Sequence, residues 1–161
     1  MSRIVFVGQA MPRVKRNPHD WPTLNVWLYS IGLTDEQIKT NFLYSALVDY
    51  FPGSKGSSHI VPSHKDIVNE QKRLKKTVSD FNPEILVPIG SLSIAYCLSE
   101  KVRPLTNHIG NIYTANPYGF LDKEIKIIPL PHPSGASTWR HKLEHQSLLK
   151  NALDILKANL N

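Results

Sequence analysis

Arg3-Ile4-Val5-Phe6-Val7-Gly8-Gln9-Ala10-Met11-Pro12 decides the fold. Four consecutive apolar residues, Ile4 to Val7, stop at a glycine, and a short polar step then runs into proline. A strand that is apolar at every position has both faces covered, as in the parallel sheet of an α/β protein. Ile85 to Ile89, ending at Gly90, and Ile125 to Leu130, ending at Pro131, are nearly continuous apolar runs and read the same way. A shorter segment, about Ile38 to Leu43, reads as the second strand in chain order. Helical spacing fills the intervals. Leu24, Trp27, Leu28 and Ile31 precede Gly32, and Ile67, Leu74, Val78 and Phe81 lie between Ser63, an N-cap residue, and Asn82-Pro83. Ser91 to Leu98 forms a short helix, and Leu148, Leu149, Ala152, Ile155 and Leu156 mark a closing one. The alternation predicts an α/β fold: a three-layer α/β/α sandwich around a central, mostly parallel four-stranded sheet, with residues 1–161 as one domain.

The composition narrows the class. Hydrophobic residues make up 41%, enough for a packed core, and no apolar run approaches the length that spans a bilayer. Met1-Ser2-Arg3 leads straight into the first strand without a signal-peptide pattern, so a cytoplasmic location and no membrane partner are expected. Cys97 is the one cysteine, which excludes an intramolecular disulfide and an iron–sulfur cluster held by four thiolates of one chain. Between Ala95-Tyr96 and Leu98 it reads as a buried apolar residue. A net charge of +6 favours a polyanionic partner, because each neutralised phosphate releases counterions.

Four segments are too rich in polar, Gly or Pro residues to be plain connectors: 9–22, 49–62, 103–120 and 132–138. Open α/β sheets place their ligands in such loops, at the carboxyl ends of the strands. Gly8 to Pro12 lets backbone amides approach a ligand, or is a simple strand-end turn. Asn41, placed at the end of the second strand, offers an amide donor and acceptor on one planar edge. That edge matches O4 and N3–H of uracil and mismatches cytosine; the alternative is an Asn that caps a turn. Pro131-His132-Pro133-Ser134-Gly135-Ala136-Ser137 is the most specific string, a histidine held between prolines ahead of small residues that admit a phosphate.

Taken together, Gly8 to Pro12, Asn41 and His132 to Gly135 resemble the uracil-DNA glycosylase superfamily, over nearly the whole chain from Ile4 to about Trp139. The likeness is closest to the thermophile-type branches, and Phe51-Pro52-Gly53 adds to it. The resemblance implies DNA containing uracil or a related damaged base as partner, no cofactor, and a monomer. It also assigns roles. His132 stabilises charge on the departing base, Asn41 reads its edge, and Gly8 and Ala10 lie beside it. Trp21 is the expected stacking aromatic, with Phe42 as an alternative and Trp27 reserved for the core. Ser134, Gly135 and Ser137 belong to the loop that presses into the minor groove, and Arg13, Lys15, Arg16, Lys55 and Arg140 are expected phosphate contacts. Lys72 to Lys76 reads instead as an exposed helix face.

The chain departs from the family pattern in one respect that bears on chemistry. Gln9 and Ala10 stand where the first motif often carries an acidic residue. Gln9 or Asp49 is left to position the attacking water, with Asp20 a weaker candidate. Three functions follow for testing: a glycosylase leaving an abasic site, a non-catalytic or weakly active module that binds damaged DNA, and an α/β enzyme acting on a free nucleotide.

Overall fold

The structure is a computed structural model that describes residues 1–55, 58–134 and 137–161. In chain order its elements are β1 (Ile4–Ala10), α1 (Pro22–Ser30), α2 (Asp35–Asn41), β2 (Phe42–Val48), a hairpin of β3 (Ser54–Lys55) and β4 (Ser58–His59), α3 (His64–Phe81), β5 (Ile85–Pro88), α4 (Ser91–Leu98), β6 (Tyr113–Ala115), β7 (Ile125–Ile127) and α5 (Leu143–Ala158). The main sheet has the order β2-β1-β5-β7-β6. Its first four strands run parallel, and β6 lies antiparallel on β7. It therefore has five strands where the sequence suggests four. The additional strand is an edge segment of three residues, too short for a two-residue period to register.

The second strand also lies further along the chain than expected. Thr34 starts a helix instead: its Oγ1 accepts from Gln37 N at 3.2 Å, and its own N–H donates to Gln37 Oε1 at 3.0 Å. This reciprocal capping satisfies two amides that a first helical turn leaves open. The helix runs to Asn41, and the strand then occupies Phe42–Val48.

Both faces of the sheet are covered, as the continuous apolar strands require. On one, α1 and α5 bring Leu24, Trp27, Leu28, Leu149, Ala152 and Leu156 onto Ile4, Phe6, Tyr44 and Val87. On the other, α3 and α4 bring Ile67, Leu74, Val78 and Cys97 onto Val5, Val7, Leu47, Leu86 and Ile127. That is the three-layer α/β/α arrangement. Ser63 caps α3, its Oγ accepting from Asp66 N at 3.1 Å, and Asn82 ends the helix in the left-handed region at φ 50°.

Arg73 departs from the exposed face on which the sequence places it. Its Nη1 donates to Ser45 Oγ at 3.0 Å and its Nη2 to the Ala46 carbonyl at 2.7 Å. The guanidinium thus lies along the outer rim of β2, while Lys72, Lys75 and Lys76 remain exposed.

At the carboxyl end of the sheet, Gly8 pairs with Ala46 and Ala10 with Val48. The Gly90 amide donates to the Leu130 carbonyl at 3.0 Å, which ties the turn after β5 to the segment that leads into His132.

Candidate active site

An aromatic column connects the first strand to the histidine loop. Phe42, Tyr44 and Ala46 alternate onto one face of β2, so Tyr44 sits over Phe6 of β1, with ring centroids 6.5 Å apart and an interplanar angle of 14°. Trp21 continues the stack on Tyr44 at 5.4 Å and 24°, and meets His132 edge to face at 5.2 Å and 80°. The Tyr44 hydroxyl leans toward the carboxyl end. It stands 2.8 Å from the place a Cβ on Gly8 would take, so a side chain at position 8 would collide with it. Gly8, Tyr44, Trp21 and His132 thus form one chain of contacts, with Trp21 the link between Tyr44 and the histidine. Tyr44 and Trp21 are 4% and 5% exposed, so the cluster is closed at rest.

His132 is fixed by its own loop. Its Nδ1 accepts from the Ser134 amide at 3.1 Å, which places the proton of a neutral imidazole on Nε2. The Ser134 carbonyl in turn accepts from Ser137 N at 3.1 Å and from Arg140 Nη2 at 3.2 Å, and the Arg140 guanidinium lies 5.6 Å from the centre of the Trp27 ring. Ser134, Ser137 and Arg140 are therefore parts of one braced turn. Gly135 lies outside the described residues.

Of the basic residues of the first loop, Lys15 lies against this cluster, while Arg13 and Arg16 meet the segment that follows β2. Lys15 Nζ stands 5.2 Å from the Trp21 ring centre and Arg13 lies 4.8 Å over Phe51. Arg16 pairs with Asp49 at 2.6 Å, both half-exposed, and so joins the first loop to the end of β2. Glu70 holds that corner from α3, its Oε1 accepting the Asp49 amide at 2.7 Å. Gln9 is half-buried beside Gly8, and Ala10 next to it pairs with Val48, one residue before Asp49. Lys55 falls in β3. Asp20 folds its own turn: burial raises its pKa, but the amide and side chain of Asn17 outweigh that and hold the carboxyl below its usual range.

Asn41 and Phe42 are not at this site. Asn41 ends α2, and Phe42 opens β2 opposite Ile4, whereas the site lies near the Gly8–Ala46 pair at the other end of the sheet. The Asn41 Nδ2 donates to the Gln37 carbonyl at 3.1 Å, and Phe42 packs edge to face on Phe6 at 5.8 Å. The Asn41 amide thus serves the end of a helix and the Phe42 ring serves the core. Replacing Asn41 with alanine is expected to reduce stability by about 1 kcal/mol or less, measured by chemical denaturation. A loss of several kcal/mol would show that the amide does more than serve the helix end. Trp27, 7% exposed, belongs to the core as its helical spacing indicates.

Sequence reasoning missed Tyr44, although the alternation of Phe42, Tyr44 and Ala46 was there to be read. The cue is a polar-tipped aromatic on the inward face of a buried strand, one pleat below a glycine. A groove elsewhere, lined by Ser30, Ile31, Leu149 and Leu153, is removed from these residues, and the lysine and aspartate on its rim, Lys150 and Asp154, already pair at 2.9 Å.

An α/β/α sandwich with a braced histidine loop and an aromatic cluster at the carboxyl end of its parallel strands is of the class that binds ligands at that end. The family model described as Uracil DNA glycosylase superfamily matches residues 1–157, and the chain belongs to that superfamily. Membership supports a DNA-glycosylase type of function in general terms. Among curated proteins none matches the chain. The iron–sulfur cluster of the thermophile-type branch does not fit these residues. Cys97 is the one cysteine, and burial pushes its thiol well above the usual range.

Proposed function

We propose that this protein removes uracil from DNA as a monofunctional glycosylase, extruding the base and hydrolysing its glycosidic bond. The observation that carries the reading is the bond from the Ser134 amide to His132 Nδ1, beside the Trp21–Tyr44 stack. Cleavage of the bond leaves cationic character on the sugar and negative charge on the base. A neutral imidazole with its proton on Nε2 is a fixed donor for that charge, with no proton transfer required in advance. Extrusion costs a few kcal/mol of stacking and pairing. The turn around Ser134 supplies the wedge, and Arg13, Lys15 and Arg140 supply phosphate contacts that hold the strand in register. Asp49, across the strand pair from the place of the missing acidic residue, orients the water with Arg16 holding its carboxylate. Gln9 adds a neutral amide beside it.

A second reading, a damaged-DNA-binding module without turnover, draws on the closed state of Gly8, Tyr44 and Trp21 and on the absence of a carboxylate in the first strand turn. An end-labelled oligonucleotide with one uracil decides between them. A glycosylase converts single-stranded, U:G or U:A substrate to an alkali-labile abasic site in catalytic amounts. Salt-sensitive binding with no strand scission after alkali on any of the three would establish the module instead.

A further inference from the structure

We propose that the Tyr44 hydroxyl contacts the edge of the extruded base, donating to the ring carbonyl remote from His132; this assignment rests on the glycosylase reading. It fills the part for which Asn41 is misplaced. The Tyr44 Cα is level with Phe6, yet its hydroxyl reaches the level of Gly8, 2.8 Å from where a Cβ on that residue would stand. Glycine at position 8 is therefore what leaves room for the hydroxyl at the carboxyl end of the sheet. The ring packs on both Phe6 and Trp21, which holds its oxygen at the level of Gly8. Among the described residues nothing hydrogen-bonds this oxygen, although the side chain is 4% exposed. The oxygen is not among the fully buried polar atoms that lack a partner, so it keeps a little solvent contact, and a base carbonyl can reach it there. Burial also pushes the phenol well above its usual range, so it keeps its proton at neutral pH.

The chemistry of one hydroxyl differs from that of an amide. An amide fixes a donor and an acceptor side by side and so selects a single base edge. A lone hydroxyl donates to a carbonyl or, with its proton turned away, accepts from an amine, so it anchors the edge of the base without by itself excluding an amino base.

The test uses oligonucleotides with a 2′-fluoro-2′-deoxynucleotide, whose glycosidic bond resists cleavage, carrying either uracil or 2-pyrimidinone, which lacks the O4 oxygen. The full-length protein is expected to bind the uracil form on the order of tenfold more tightly, the worth of one neutral hydrogen bond. Tyr44→Phe should bring that ratio to about one while keeping the ring stack and the melting temperature. Gly8→Ala should erase the same ratio by displacing the hydroxyl. An unchanged ratio in Tyr44→Phe, with uracil release intact in the wild type, overturns the role of Tyr44 and leaves the glycosylase standing. A Tyr44-dependent ratio in a protein that releases no base overturns the glycosylase and upholds Tyr44. Equal binding of the two oligonucleotides by the wild type overturns the Tyr44 assignment in either case.

Discussion

Replacing His132 with alanine is expected to slow uracil release by about 100- to 1,000-fold, the usual effect of removing one donor to a developing oxyanion. Affinity for uracil-containing DNA should change little, because the loss falls on the transition state rather than on the bound substrate. The imidazole also closes the short loop to the Ser134 amide, so some loosening of the turn is expected. His132→Asn separates the two effects, since it retains a polar side chain of smaller reach. Single-turnover kinetics at saturating enzyme isolate the chemical step. A wild-type rate constant for His132→Ala under those conditions would remove the histidine from the mechanism.

Trp21→Ala should show the largest effect on stability. The ring is 5% exposed and touches Tyr44 on a face and His132 at an edge. Truncating a buried tryptophan typically costs about 3–5 kcal/mol, and in a domain of this size that lowers the melting temperature by about 10 °C or more. The indole Nε1 is buried without a partner among the described residues, so the stabilisation comes from packing and not from a hydrogen bond. Release should fall by more than the unfolded fraction explains, because the ring is what places Tyr44 and His132 next to each other. Trp21→Phe is expected to recover most of both. Should Trp21→Ala release uracil at the wild-type rate well below its melting temperature, the ring is only core.

Much of the fold was legible because parallel strands buried on both faces are unambiguous. Ile4 to Val7 and Ile85 to Val87 have no polar residue to break the run, and Ser63 and Asn82-Pro83 bracket α3 by residue type alone. The reading of 38–43 as a strand failed where two signals overlapped. Ile38 and Leu43 suggested a short apolar segment, while Thr34 and Gln37 carried the stronger local information of a capped helix start. That displacement moved Asn41 from one end of the sheet to the other. Tyr44 is missed for a related reason: a strand that ends at Leu43 leaves the Phe42-Tyr44-Ala46 alternation without a face to belong to. His132 was legible because two flanking prolines restrict the backbone whatever surrounds it. The ion pair of Arg16 with Asp49 spans 33 residues and depends on the loop path, about which local pattern says nothing.

Arg73 bears on how the molecule meets its neighbours. A terminal strand of a sheet normally offers bare carbonyls to any chain that drifts alongside, and pairing there propagates into fibrils or swapped dimers. In this protein a cationic side chain already occupies the carbonyl of Ala46 at the open border of β2. An incoming segment would have to displace a charged donor before forming its first rung, so crowding several copies on one nucleic acid does not by itself invite them to zip together along that border.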